Sequence, residues 1–147
     1  MATAERSAKL IWEGDLPSGS GTFTTGSGAM GEMPVTWASR TQSPEGKTSP
    51  EELIAAAHAS CYAMALSHTL GQDGHTPERL EVDAVCTLDE AGGGFKITSM
   101  TLNVTADVPG ADEDGFRKAI EATNQGCPVS NALRGNVDID VNATLNQ

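Results

Sequence analysis

One segment, residues 49–70 (SPEELIAAAHASCYAMALSHTL), constrains the fold of this chain more than any other. Its first residues carry helix-start signals: Ser49 can cap free backbone N–H groups, Pro50 suits the first helical position, and Glu52 completes a Ser-x-x-Glu capping box. An alanine-rich apolar run follows, and Gly71 is expected to end the helix. Because small apolar residues surround this helix on all sides, we expect it to be buried on most of its surface.

Composition bounds the class of protein. The chain has 147 residues, which suits one domain spanning residues 1–147, and 20 acidic against 9 basic side chains give a formal charge of −11. That charge argues against nucleic-acid partners, whose phosphates need basic neutralisation, and against an anionic membrane surface. We find no apolar stretch long enough for a signal peptide or a transmembrane helix. Three widely spaced cysteines do not resemble a secreted disulfide framework, so we expect a reducing, cytoplasmic setting.

Segments of alternating polarity predict strands on both sides of the helix. The predicted strands cover residues 8–14, 21–28, 33–41, 81–88, 95–108 and 137–145. A glycine-rich turn at residues 91–94 predicts a hairpin between the fourth and fifth strands, with a bulge near Ser99–Thr101, where the alternation slips. Arg40 falls at the end of the third predicted strand.

Two further helices are predicted in the second half of the chain. Residues 112–125 form an acidic-start helix with one apolar stripe, and residues 127–133 form a short helix with Pro128 at its first position. The order of elements, with hairpins rather than β-α-β crossovers, indicates an α+β fold with a largely antiparallel sheet and two main helices.

The three cysteines occupy three different environments. Cys61 lies in the middle of the central helix, where the helix dipole cannot lower its pKa. It is therefore either a small buried hydrophobe or a thiol that a cation from elsewhere activates. Cys127 opens the short helix, whose N-terminus favours the thiolate, and we expect its side chain to be accessible. Cys86 lies on the inward face of a regular strand and is expected to be a core residue.

His58, three residues before Cys61, shares a helix face with it and leaves two alternatives open. The first is a Cys–His nucleophile pair, but the sequence offers neither an orienting partner for the histidine nor an oxyanion signature. The second is a metal site built from His58, Cys61 and Cys127, but no close Cys-x-x-Cys or His-x-x-His pair supports it. We therefore expect no metal and no cofactor.

Three motifs carry a resemblance to a known family. The opening KLIWEGDLPSGSGTFTT, the helix block SPEELIAAAHASCYAMALS and the later GCPVSNAL resemble the OsmC branch of the OsmC/Ohr peroxidase family, over nearly the whole chain and in the same order. The pairing of PEEL…AxHAxC with a distant GCPVS is far more specific than a single cysteine. The resemblance implies an α+β fold in an intertwined homodimer, with the two long helices sandwiched by sheets and the sites at the subunit interface.

The resemblance also implies roles for four residues. It matches Cys61 to the peroxidatic cysteine, Cys127 to the resolving cysteine, Arg40 to the catalytic arginine and Glu51 to the glutamate that holds that arginine. A Cys61 thiolate would split the hydroperoxide O–O bond and become a sulfenic acid, which Cys127 would convert to a disulfide. A dithiol reductant, either a lipoylated protein or a thioredoxin-like partner, would reopen the disulfide. The apolar neighbours Tyr62 and Met64 favour organic hydroperoxides over hydrogen peroxide.

Helix geometry adds one expectation about the dimer. Glu51 and Cys61 are ten residues apart on one helix, which is roughly 15 Å along its axis. We therefore expect Glu51 of one subunit to serve Cys61 of the other, across antiparallel packed helices.

Other classes of function stay open at this stage. In a non-catalytic stress protein or a small-molecule binder, the substitution Cys61→Ser would not change hydroperoxide consumption. A thiol redox sensor would form the disulfide without multiple turnovers. A Cys–His hydrolase would lose ester cleavage on His58→Ala.

Overall fold

The computed structural model describes residues 2–147, which form two compact units. The first unit extends to Leu53 and the second comprises Ile54–Gln147. A single domain over residues 1–147 stays a prediction. None of the helices in residues 2–147 is long and apolar enough to cross a membrane.

The first unit contains a three-stranded antiparallel sheet. Its strands are β1 (Ala8–Glu13), β2 (Ser20–Thr25) and β3 (Met33–Val35), with β2 in the centre. The first two strands lie where the alternation of the sequence predicted them. The third is much shorter than predicted.

The predicted strand over residues 33–41 is wrong in its second half, where the chain forms a short helix, α1 (Trp37–Thr41). The cause is a local capping box. The Thr36 side chain accepts a hydrogen bond from the Ser39 N–H, and the Ser39 hydroxyl accepts one from the Thr36 N–H. These bonds satisfy the first backbone donors of a helix and outweigh the weak alternation. Arg40 consequently lies in the last turn of α1, not at the end of a strand.

The central helix, α2 (Pro50–Gln72), begins as predicted. The Ser49 hydroxyl accepts a hydrogen bond from the Glu52 N–H, as expected of a cap. Its end was predicted wrongly, because Gly71 lies inside the last turn. The residue that ends α2 is Gly74, whose φ of 83° only glycine adopts without strain. The Gly74 N–H donates a hydrogen bond to the Gly71 carbonyl, and the His75 N–H donates one to the Leu70 carbonyl. These are the two hydrogen bonds of a Schellman motif.

Burial along α2 differs from the prediction of a helix covered on most of its surface. Within the chain one stripe is buried, at positions four residues apart: His58, Tyr62, Leu66 and Leu70. The opposite side, which includes Ala56, Ala57, Ser60 and Met64, is exposed. The alanine content hid this stripe, because a small apolar residue fits both a core and a surface.

The second unit is built on a second sheet of three strands. These are β4 (Arg79–Ala91), β5 (Gly94–Asp107) and β6 (Asp138–Leu145), with β5 in the centre. The predicted hairpin joins β4 to β5, and its turn has positive φ angles at Gly92 and Gly93. The register shifts where Thr87 pairs with Ser99 and Leu88 with Ile97, which leaves Thr98 as the extra residue of a bulge beside the predicted position.

The prediction of hairpins without crossovers is wrong for the last strand. β6 pairs with β5 in parallel, and the connection between them contains α3 (Glu113–Gly126) and α4 (Pro128–Leu133). Neighbouring parallel strands need such a long connection, because a short turn reverses the chain direction and would make the next strand antiparallel. The alternating sequence of β6 predicted a strand but carried no signal for its direction. The α+β class with two main helices, α2 and α3, is confirmed.

The core of the second unit is one apolar cluster. Its members come from α2, β5 and the residue that follows it, α3, the N-cap of α4, and β6: Tyr62, Leu66, Leu70, Leu102, Val104, Ala106, Val108, Phe116, Ala119, Cys127 and Leu145. The predicted apolar stripe of α3 supplies the two core positions Phe116 and Ala119. Cys61 packs against the edge of this cluster, so the same packing that holds α2 also fixes one of the thiols.

Candidate active site

Two cysteines 66 positions apart in the chain meet in the second unit. Cys61 comes from the middle of α2 and Cys127 from the N-cap position of α4, and their sulfur atoms are 3.4 Å apart in the free thiol state. Core packing places them there, because Cys127 itself belongs to the apolar cluster and Cys61 packs against it. A disulfide needs sulfurs at about 2.0 Å, so only a small side-chain movement separates these thiols from a covalent bond.

Cys127 is completely buried, with 0% of its surface exposed. The prediction of an accessible side chain was therefore wrong. Burial raises the pKa of the Cys127 thiol, but the hydroxyl and N–H of Ser130, the Cys61 thiol and the N–H of Val129 together lower it below the ordinary value. This direction agrees with the predicted preference of the helix start for the thiolate, with the Ser130 hydroxyl as the largest lowering cause.

Cys61 has the opposite electrostatic environment. It is half-buried, and burial raises the pKa of its thiol above the ordinary value. The N–H of Val129 lowers that pKa, and the neighbouring Cys127 raises it further. Within its own unit the more accessible thiol is therefore the one that holds its proton more tightly. This agrees with the expectation that a mid-helix cysteine needs a cation for activation.

His58 hydrogen-bonds to a residue that the sequence did not single out. Its Nε2 lies 2.7 Å from the Ser130 hydroxyl, and both side chains are buried. Burial lowers the pKa of His58, and its Nδ1 is buried without a hydrogen-bond partner among the described residues. The Cys–His pair considered above is not built, because Nε2 is directed to Ser130. Residues 2–147 contain no group of three His, Cys, Asp or Glu side chains placed to hold a metal ion.

Arg40 and Glu51 form a bidentate ion pair in the first unit. The Arg40 Nε donates to Oε1 of Glu51 at 3.0 Å, and Nη2 donates to Oε2 at 2.9 Å. Glu51 is 6% exposed and sits in the first turn of α2, where the helix dipole also favours its charge. The guanidinium lies 6.0 Å from the centre of the Trp37 ring on α1. These contacts fix the orientation of the guanidinium, as a planar fork on a buried carboxylate does.

The remaining residues of interest are structural. Cys86 lies on β4 with its side chain half-buried, on the face that the alternation predicted. Tyr62 is fully buried, and its hydroxyl donates a 2.6 Å hydrogen bond to the Asn124 side chain.

Sequence reasoning missed Ser130 as a member of the site. Its position three residues after Cys127, on the first turn of a Pro-started helix, is the signal that could have found it.

An α+β protein with a pair of facing cysteine thiols is the class that this fold and site define. Comparison with known proteins places it more narrowly. Residues 43–142 match the family model described as OsmC-like protein. The chain belongs to the OsmC family, which confirms the resemblance in its motifs.

Relatives and solved structures agree with this placement. The chain is 40% identical over 138 residues to "Peroxiredoxin OsmC" of Escherichia coli (strain K12), covering 94% of this chain and 96% of the relative. It is 33% identical over 93 residues to "Organic hydroperoxide resistance protein" of Xanthomonas axonopodis pv. citri, covering 63% of each. A crystal structure of an organic hydroperoxide resistance protein OsmC from Legionella pneumophila has the same fold, with a TM-score of 0.77, 24% identity and coverage of 98% and 99%.

The burial of His58 predicts a pH-dependent stability. Because its pKa is lowered from 6.5 in the folded protein, the unfolded chain binds more protons below about pH 6.5. The free energy of unfolding should therefore fall as the pH drops below that value, by at most about 1.4 kcal/mol per pH unit from this group. Urea unfolding of wild type and His58→Gln, between about pH 5 and about pH 8, should give curves that diverge below pH 6.5.

His68→Gln is the matched control, since it removes an exposed histidine from the same helix. It should leave the wild-type pH dependence intact. If His58→Gln also ran parallel to wild type, His58 would not be held neutral by burial.

Proposed function

We propose that this protein is a thiol peroxidase that reduces hydroperoxides, organic ones preferentially, to alcohols in oxidative and osmotic stress defence. The observation that carries the proposal is the 3.4 Å contact between the Cys61 and Cys127 sulfurs in a chain of the OsmC family. The relatives named peroxiredoxin and organic hydroperoxide resistance protein support the same activity.

Cys61 is the thiol that meets the peroxide, because it is half-buried whereas Cys127 is fully enclosed. In the first step the Cys61 thiolate attacks the terminal oxygen of R–O–O–H, and an S–O bond forms as the O–O bond breaks. The sulfur is oxidised to sulfenic acid, and the leaving alkoxide takes a proton from solvent to become the alcohol. The attacking species must be the thiolate, which explains why the pKa of Cys61 matters.

Cys127 carries the second step. Its thiolate attacks the Cys61 sulfur, an S–S bond forms, and the S–O bond breaks to release hydroxide, which is protonated to water. The lowered pKa of Cys127 favours this attack. The disulfide prevents further oxidation of Cys61 to the irreversible sulfinic state.

A dithiol must then return the protein to its reduced form by thiol–disulfide exchange. A lipoylated protein and a thioredoxin-like protein both have the required chemistry. Because turnover depends on such a reductant, the proposed activity fits a reducing compartment such as the cytoplasm.

Arg40 and Glu51 are proposed to activate Cys61 from the other subunit of a homodimer. The surroundings of Cys61 in its own unit raise its pKa, so a fixed positive charge is needed to stabilise the thiolate. The Arg40–Glu51 pair is such a charge, already oriented by two hydrogen bonds. Glu51 and Cys61 are ten positions apart on α2, roughly 15 Å along its axis. This separation favours activation of Cys61 in one subunit by the Arg40–Glu51 pair of the other, across antiparallel helices.

The preference for organic hydroperoxides rests on the apolar surroundings of Cys61. Its contact with the apolar cluster favours substrates with a hydrocarbon substituent. Tyr62 does not supply an open apolar wall, as the sequence reasoning assumed, because it is fully buried in the core. Met64 is 72% exposed within the chain and stays available to a substrate or to a second subunit.

Cysteine variants test the proposed chemistry. With cumene hydroperoxide and a dithiol reductant, wild type and Cys86→Ser should consume peroxide over many turnovers, whereas Cys61→Ser should fall to the rate of the buffer. Without the reductant, Cys127→Ser should consume about one equivalent rapidly and accumulate a trappable sulfenic acid, because the first step does not need the second thiol. Equal consumption by wild type and Cys61→Ser would indicate a binding protein. One turnover without further cycles in wild type would indicate a redox sensor.

Mixed dimers test which subunit supplies the arginine. Arg40→Ala and Cys61→Ser should each be inactive alone, since each lacks one component at both sites. If Arg40 serves in trans, a dimer of one Arg40→Ala chain and one Cys61→Ser chain regains one complete site, about half of the wild-type activity per dimer. If Arg40 serves in cis, every site in the mixed dimer is defective and no activity returns. Unmixed proteins treated identically are the control.

A further inference from the structure

Two buried polar side chains beside the thiols take no part in the steps above. His58 on α2 and Ser130 on α4 are 72 positions apart in sequence, and their exposed fractions are 0% and 2%. Their side chains meet in a 2.7 Å hydrogen bond between Nε2 and Oγ. Burying two polar groups in an apolar core is unfavourable unless they are paired, so the hydrogen bond is a requirement of the packing.

The direction of this hydrogen bond follows from its surroundings. The His58 Nδ1 is buried and has no partner among the described residues, so a proton on Nδ1 would be a buried donor without an acceptor. The proton of the neutral ring therefore lies on Nε2, which donates to the Ser130 oxygen. The hydroxyl proton of Ser130 is then free to point elsewhere.

Cys127, the N-cap residue of the same helix, is the neighbouring group whose sulfur can accept a hydrogen bond from this hydroxyl. It lies three residues before Ser130, at the start of the same helix, and the Ser130 hydroxyl stabilises its thiolate. The His58–Ser130 hydrogen bond at 2.7 Å and the Cys127–Cys61 contact at 3.4 Å thus both involve residues at the start of α4, three positions apart.

We propose that His58 is a positioning residue for the resolving step: by donating Nε2–H to Ser130, it directs the Ser130 hydroxyl proton at the Cys127 sulfur and so favours the thiolate that attacks oxidised Cys61. This inference rests on the proposed function and assigns it two further residues. His58 stays neutral and exchanges no proton during the reaction, because both its ring and its hydrogen bond are enclosed. The chemical balance of the resolving step is unchanged.

The expected size of the effect follows from two opposing trends. A hydrogen bond to a charged group lowers the thiol pKa by about one to two units, so losing the Ser130 hydroxyl cuts the thiolate fraction about 10- to 100-fold. The remaining thiolate is more basic and about 3- to 10-fold more nucleophilic. Disulfide formation should therefore slow by about 3- to 10-fold.

Single-turnover experiments separate the two chemical steps. Reduced wild type, Ser130→Ala, His58→Asn and His58→Gln are mixed with cumene hydroperoxide, and peroxide loss and disulfide formation are followed separately by rapid quench. Gln keeps an N–H near the position of Nε2, whereas Asn is one methylene shorter and does not reach Ser130. Ser20→Ala, which removes an exposed hydroxyl from β2, is the matched control.

We expect peroxide loss to be no slower than in wild type in every variant, because a more protonated Cys127 does not hinder ionisation of Cys61. Disulfide formation should slow by about 3- to 10-fold in Ser130→Ala and His58→Asn, and should stay within about twofold of wild type in His58→Gln and Ser20→Ala. In a Cys61→Ser, Cys86→Ser background, where Cys127 is the remaining thiol, Ser130→Ala should raise the thiolate pKa by at least about one unit, read from thiolate absorbance.

Wild-type disulfide formation in Ser130→Ala would overturn the inference, and so would equal slowing in His58→Gln and His58→Asn. The Ser130→Ala result stands by itself if a His58 variant does not fold. Failure of the proposed function gives a different result, because then wild type itself would not consume peroxide.

Discussion

The packing of one stripe of α2 into the core of the second unit is the constraint on which the candidate site depends. Tyr62, Leu66 and Leu70 bury this stripe among residues of β5, α3 and β6, and His58 continues it by one turn. Since the stripe fixes the rotation of the helix, it also fixes Cys61, which lies beside it. The crossover between β5 and β6 brings Cys127 into the same cluster, so the two thiols meet because both belong to one packed core.

The two thiols are chemically distinct although they touch. Cys127 is enclosed and its pKa is lowered by the dipoles at the start of α4, whereas Cys61 is partly accessible and its pKa is raised by burial. This division suits a two-step reaction, in which one thiol must meet an external oxidant and the other must attack an internal sulfur. We propose that the oriented Arg40–Glu51 pair of the first unit supplies, from another subunit, the positive charge that a Cys61 thiolate needs.

Much of this could be predicted from the sequence, and the failures have physical causes. Strong local signals, such as the Ser49 cap and the turn at Gly92–Gly93, predicted their elements correctly. The helix that carries Arg40 was missed because alternating residues mask the hydrogen bonds between Thr36 and Ser39. Contacts between elements that are distant in sequence have no signature within any one segment of the chain.

Three features of the structure depend on such long-range contacts. The parallel pairing of β6, the burial of Cys127 and the contact of His58 with Ser130 are all decided by packing between elements distant in sequence. The motifs that resemble the family nevertheless singled out Cys61 and Cys127, whereas residue type and helix position alone left Cys61 either a buried hydrophobe or an activated thiol. Ser130 carries only the weak signal of its position three residues after Cys127, since serine is common at the start of helices for capping alone.

Mapping the first oxidation product tests the central claim most directly. Reduced wild type would receive one equivalent of cumene hydroperoxide, followed by acid quench, alkylation of remaining thiols, proteolysis and peptide mass analysis. The account predicts an intrachain disulfide between Cys61 and Cys127, with Cys86 recovered in alkylated form. Recovery of all three cysteines as alkylated thiols, or a disulfide that includes Cys86, would contradict it.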